Sequence, residues 1–217
     1  MTRPHFRFAV ILTALLVAVT LTGGALASGA APRSAVGRQQ AFHDEMRKLW
    51  EDHIIWTRLT IVSFAADLPD LEPTLDRLLQ NQADLGSAVA PFYGEEAGQA
   101  LTDLLREHIL GAVDVLTAAK AADEVTLTAA LAAWYENGQE IADFLHQANP
   151  RFWPQEEMRN MMRDHLDLTL DEATARLQGD FEADIAAYED VHRQILDMAD
   201  MLSSGIIKQF PEKFGGL

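Results

Sequence analysis

The chain has 217 residues, of which 48% are apolar, and this content supports one folded domain rather than a disordered chain. It carries 33 acidic against 17 basic residues, a formal net charge of -16, which argues against nucleic acid and anionic lipid as partners. The absence of cysteine excludes disulfides, thiolate metal sites and cysteine nucleophiles, so stability must come from the core.

The N-terminus has the pattern of an export signal. Two arginines precede an apolar stretch, Phe8–Leu21, and Ala25–Ala27 fits a cleavage site. We therefore predict a signal peptide over residues 1–27, a flexible leader over 28–35 and an extracytoplasmic protein, either secreted or periplasmic. The apolar stretch is shorter than the roughly 20 residues of a membrane span. Its extension to the cleavage site nevertheless leaves an uncleaved N-terminal anchor as the alternative; without it, no membrane contact is expected.

The rest of the chain has the apolar spacing of amphipathic helices, punctuated by Pro, Gly, Asn and Asp. No stretch alternates apolar and polar residues as a strand would. The pattern predicts an all-α domain over residues 36–203, followed by a C-terminal tail over 204–217. Six helices are expected, at about 36–66, 73–90, 95–120, 125–148, 154–177 and 181–203.

A six-residue pattern recurs in the first, third and fifth of these helices. Two apolar residues, a charged residue, an acid, a histidine and an apolar residue occur at Leu49–Ile54, Leu104–Ile109 and Met161–Leu166. Repetition at a nearly constant period indicates repeated structural units. The chain is therefore predicted to form three antiparallel helical hairpins, closed into a bundle in preference to an open stack.

Several polar residues fall on the apolar stripes of these helices: His53, Gln82, His108, Asn137, His165, Glu172 and His192. Burying such groups costs free energy unless they are hydrogen-bonded or bind a ligand. In a closed bundle, histidines and carboxylates can converge and hold a transition metal. The candidate ligands for Zn, Cu, Fe or Ni are accordingly His53, His108, His165, His192 and Glu172.

A purely structural interpretation is the alternative. Each hairpin could pair its own polar groups, joining His53 to Gln82, His108 to Asn137 and His165 to His192. A di-iron site needs two Glu-x-x-His motifs, and the sequence has one, at Glu189–His192. No catalytic motif assigns a nucleophile or a base, so catalytic residues stay unassigned.

The segments Leu49–His53, Trp56–Arg58, Leu78–Gln82, Pro91–Gly94 and His165–Thr169 resemble a set of uncharacterised exported bacterial helical proteins. The resemblance covers most of the chain after the signal peptide. It implies an exported helical domain and transfers no activity and no site residues, because that group has no established activity.

Three main functions remain open from the sequence, beside a carrier of apolar ligands. The first is an extracytoplasmic binding protein whose core histidines hold a transition-metal ion. The second is a structural or protein-interaction module without a small ligand, and the third is a metal-dependent enzyme. A metal ion and a protein are therefore the expected partners.

Overall fold

A computed structural model describes residues 34–215, and this part of the chain is helical without a strand. The all-α class and the six main helices are confirmed. The predicted signal peptide and residues 28–33 of the leader lie outside the described residues. Within the described part, no helix combines the length and apolarity needed to cross a membrane. The helices are α1 (Ala35–Ala65), α2 (Leu71–Tyr93), α3 (Glu95–Lys120), α4 (Glu124–Ala148), α5 (Gln155–Gln178), α6 (Phe181–Gln209) and a 3-10 helix, Pro211–Phe214.

Side-chain caps fix where several helices begin. Ser34, Asp123 and Asp180 each accept a hydrogen bond from a backbone N–H in the first turn of α1, α4 and α6. Such caps satisfy amide groups that have no partner inside the helix. Helix α5 ends at Gly179, whose φ of 76° lies in the left-handed region that glycine adopts without strain. The polar residues and glycine at these helix ends therefore act through local hydrogen bonds and backbone conformation.

The six helices close into a bundle. Each helix packs against its neighbours in the chain, and α1 also packs against α6. The pairs α1–α2, α3–α4 and α5–α6 are the three predicted hairpins. Equivalent positions of the three repeats meet in the interior, where Ile61, Leu116 and Ala173 form one apolar cluster. The closed arrangement is thus confirmed, and it places the odd-numbered helices parallel to one another around the interior.

The sixth helix continues beyond Ser203 through Gly205, so most of the predicted tail is ordered. A Cβ at Gly205 would overlap the indole of Trp153, which is 1% exposed, so glycine serves close packing here. The chain then turns back, and Phe214 packs on Phe42 with ring centroids 5.3 Å apart. Residues after Ser203 therefore close one end of the bundle.

Helices α2 and α3 approach closely at two glycines. A Cβ at Gly98 would lie 2.7 Å from the backbone oxygen of Gly86, and a Cβ at Gly86 would overlap both the Gly98 oxygen and the hydroxyl of Thr102. Backbone atoms cannot move aside as a flexible side chain can. The contact therefore requires the small residue.

We predict that Gly86→Ala lowers the free energy of unfolding by about 1–3 kcal/mol, because the added methyl forces the two backbones apart. Gly138→Ala is the matched control, since its Cβ would meet only the terminal atoms of Leu166 at 3.2 Å or more. That substitution should be neutral or stabilising through helix propensity. Denaturant unfolding measures both. Equal losses in the two variants would contradict the close approach of α2 and α3.

Candidate functional site

Three histidines from three different hairpins meet inside the bundle. The imidazole centroid of His165 lies 5.9 Å from that of His53 and 6.1 Å from that of His108. All three side chains are buried, at 2–4% exposure. The repeats therefore bring the same residue type to one place, as a closed bundle predicts.

Each of these histidines contacts an amide from the next helix of its hairpin. The Nδ1 atom of His108 lies 3.3 Å from Oδ1 of Asn137, and Nδ1 of His165 lies 3.2 Å from Oε1 of Gln194. The same amides donate to a backbone oxygen one turn before the histidine: Asn137 to Leu104 at 3.2 Å, and Gln194 to Met161 at 3.0 Å. The amide thus ties the ring and the helix backbone together.

In the first hairpin two adjacent amides share this task. Asn81 donates to the backbone oxygen of Leu49 at 3.0 Å, and Nε2 of Gln82 lies 3.4 Å from Nδ1 of His53. Gln82 also donates to the backbone oxygen of Leu78 and to Oδ1 of Asn81. Both amides are fully buried. In the first repeat, two side chains therefore make the two contacts that a single amide makes in each of the others.

The predicted pairing of His165 with His192 is wrong, because Gln194 takes that place. The signal was present in the sequence: each histidine and its amide are 29 residues apart. His192 breaks that spacing. Its side chain is 31% exposed, and its Nε2 lies 3.2 Å from Glu51 at the surface.

The amide orientations fix the tautomers of the imidazoles. An amide oxygen faces Nδ1 of His108 and of His165, so these nitrogens carry the proton and Nε2 keeps its lone pair. The amide nitrogen of Gln82 faces Nδ1 of His53, which therefore accepts and places the proton on Nε2. The oxygen of that amide, Oε1 of Gln82, is buried without a hydrogen-bond partner.

Burial keeps the three imidazoles neutral. It lowers the pKa of His108 to about 3 and that of His165 to about 4, and it places the pKa of His53 well below 6.5. The nearby His165 lowers the pKa of both His53 and His108 further, because like charges repel. Neutral imidazole is the form that ligates metals.

Glu172, the fourth candidate ligand in chain order, contacts other groups. It is fully buried two turns beyond His165, and its Oε1 accepts from Arg58 at 2.8 Å. Arg58 also pairs with Asp184, which Arg176 contacts as well. The structure therefore unites His53, His108 and His165, while Glu172 belongs to a buried ionic cluster between α1, α5 and α6.

The second carboxylate oxygen of Glu172 is buried and has no partner. Burial raises the pKa of Glu172 to about 7, although the charge of Arg58 acts in the opposite direction. Loss of solvation outweighs the ion pair here, and the nearby negative charge of Asp184 raises the pKa of Glu172 further. No short sequence motif marks this cluster, since its members come from distant segments.

The three imidazoles are close to, but not at, the spacing of metal ligands. Nitrogen–metal distances of 2.0–2.1 Å at a tetrahedral ion place ring centroids about 5 Å apart. In the arrangement of residues 34–215, no group of three or more His, Cys, Asp or Glu side chains is already positioned to hold an ion. His53 and His108 would each therefore have to approach His165 by roughly 1 Å.

The chain matches no family model, no curated protein and no solved structure. The resemblance to exported helical proteins consequently stays a prediction, and the function has to be argued from the site itself.

We predict that the free energy of unfolding falls as the pH drops from 6.5 toward 4. The unfolded chain protonates its histidines near pH 6.5, whereas the buried rings of His108 and His165 stay neutral to about pH 3 and 4. The unfolded state then holds more protons, which weakens folding by about 1.4 kcal/mol per pH unit for each such histidine. His108→Gln should make the slope shallower. His192→Gln, at a partly exposed site, is the control, and equal slopes in all three proteins would refute the buried neutral cluster.

Glu172 should act with the opposite sign. Its raised pKa means that the folded chain holds the extra proton between pH 4.5 and about 7, so its contribution to stability is lost as the pH rises through that window. The free energy of unfolding of Glu172→Gln, measured relative to that of the parent, is therefore expected to rise by roughly 1–3 kcal/mol when the pH is raised from 5 to 7.5. Unfolding curves at both pH values measure this difference. Glu107→Gln at an exposed site should show no such gain, and a Glu172→Gln variant without one would disprove the raised pKa.

Proposed function

We propose that this protein binds one divalent transition-metal ion through His53, His108 and His165. The observation that carries the proposal is the meeting of three neutral imidazoles, one from each hairpin, with the rings of His53 and His108 each within 6.1 Å of the ring of His165. Imidazole nitrogens suit Zn, Cu, Fe and Ni. Three protein ligands would leave further coordination positions for water or another small ligand.

The surroundings of the rings support ligation through Nε2. Metal-bound histidines usually donate their second N–H to an oxygen, which fixes the tautomer and the ring orientation. Asn137 and Gln194 supply such oxygens to His108 and His165. Two of the three imidazoles thus already have the outer partners of a metal site.

His53 needs one change, which Gln82 can provide. If its amide turns over and the proton of His53 moves from Nε2 to Nδ1, Oε1 accepts a hydrogen bond from that Nδ1–H, and the lone pair on Nε2 is freed to ligate. The rotation gives Oε1 of Gln82, which is otherwise buried without a hydrogen-bond partner, an N–H group to accept from. The cost is the loss of the Gln82 hydrogen bonds to Leu78 and Asn81. Metal binding is therefore coupled to the orientation of a single side chain.

A structural module without a small ligand is the second candidate. Its support is that each histidine is hydrogen-bonded within its own hairpin, which gives the rings a role without any ion. Buried polar pairs of this kind specify register between helices. A metal-dependent enzyme would additionally need a substrate next to an open coordination position. We place any of these activities outside the cytoplasm, on the strength of the export signal in the sequence.

Metal content and metal titration of the untagged protein, purified without chelator, test the proposal. We expect one ion per chain, a rise in the thermal midpoint with Zn²⁺, and a visible Co²⁺ absorption spectrum typical of tetrahedral nitrogen ligation. His53→Ala combined with His108→Ala should abolish all three. Equimolar binding that survives this double substitution would sink the proposal.

Two further variants separate loss of ligands from loss of fold. His43→Ala combined with His146→Ala removes two histidines outside the cluster and should bind metal as the parent does. Gln194→Leu keeps all three ligands but removes an outer partner, so affinity should fall by about 10- to 100-fold. A protein that holds no metal and gains no thermal stability from Zn, Cu, Fe or Ni would support the structural module instead.

A further inference from the structure

An apolar cavity, partly open to solvent, lies one helical turn beyond the three histidines, toward the C-terminal ends of α1, α3 and α5. Its volume is about 50 Å³. The nearest layer of its wall holds Thr57, Ala112 and Thr169, each four residues after a core histidine. The far part includes Ile61 and Leu116. The histidines themselves do not line it.

Small residues at repeat-equivalent positions account for the space. One turn before the histidines the equivalent positions hold Trp50, Leu105 and Met162, all at most 5% exposed, which fill the interior. One turn after them, Thr57, Ala112 and Thr169 are too short to do so. Since protein interiors are otherwise close-packed, a gap at this layer is a specific feature of the sequence.

The cavity offers little to water. The hydroxyls of Thr57, Thr60 and Thr169 donate at 2.8 Å to the backbone oxygens four residues earlier, His53, Trp56 and His165. Their donors are therefore committed to the helix backbone, and most of the remaining wall is aliphatic. An ordered water needs two to four polar partners, which this wall does not supply, so an apolar molecule is favoured over water in this space.

We propose that this cavity binds a small apolar molecule of a few heavy atoms. Its volume is about a third of the roughly 150 Å³ of an engineered cavity that takes up benzene, so the ligand is smaller than an aromatic ring. Exposed apolar residues occupy the same end of the bundle, among them Leu68 after α1, Val125 at the start of α4 and Phe181 at the start of α6. We expect apolar solutes to reach the cavity from that end. This site goes beyond the proposed metal site and stands without it.

Xenon is the probe, applied under pressure to the metal-free full-length protein, with methyl NMR shifts as the readout. We expect saturable shifts at the methyls of Ile61 and Leu116. Ala112→Leu, which fills the first layer, should weaken xenon binding at least tenfold. Ala129→Leu, the same substitution at an exposed site of α4, should leave it within twofold of the parent. Shifts that do not saturate, or that are the same in Ala112→Leu, would overturn the proposal.

Thr169→Val tests whether the cavity is dry. Because the hydroxyl already bonds to its own helix, its replacement by a methyl of similar shape should change xenon affinity less than about threefold. A tenfold gain would mean that water occupies the cavity in the parent protein, and the apolar assignment would then be wrong. If Ala112→Leu fails to fold, Ala119→Leu, also in the cavity wall, takes its place.

Discussion

The hydrogen bonds between a buried histidine, an amide of the facing helix and a backbone oxygen hold each hairpin in register, and the rest of the interior is arranged around them. In the third hairpin, Gln194 joins Nδ1 of His165 to the oxygen of Met161, so the amide spans two sites on the facing helix. Two contacts on one amide fix both the depth and the rotation of the partner helix. Breaking the contact to His165 would leave its buried Nδ1 unpaired, at a cost of about 1–3 kcal/mol.

Repetition of this unit explains why the imidazoles converge. Because the hairpins are similar in length and close into a ring, one depth in the first repeat corresponds to the same depth in the others. A residue placed once in the repeat therefore appears three times around the interior. The same logic places Ile61, Leu116 and Ala173 in one cluster and leaves a gap where the equivalent residues are small. Site, cluster and cavity are three layers of one arrangement.

Two buried systems with opposite electrostatic character lie along the same helices. Protonation of the buried imidazoles destabilises the folded protein, whereas for Glu172 it is ionisation that destabilises it. Both effects follow from loss of solvation, which disfavours whichever form is charged. Arg58 does not cancel the effect on Glu172, since loss of solvation is larger and the charge of Asp184 adds to it. The combined contribution of these groups to the free energy of unfolding is therefore largest in a middle range of pH, which their competing titrations set.

The sequence by itself determined the helical class, the six helices, the three hairpins and three of the histidines on their inner faces, because helical periodicity and punctuation are local properties. It also contained the 29-residue spacing that identifies Gln194 as the partner of His165, although His192, two residues earlier, was predicted in its place. Tertiary structure decided which polar groups meet. Glu172 and His165 share a helix, yet one pairs with Arg58 and the other joins two imidazoles, because neighbours from distant segments decide that difference. The continuation of α6 through Gly205 was decided in the same way, by the indole of Trp153 against its backbone.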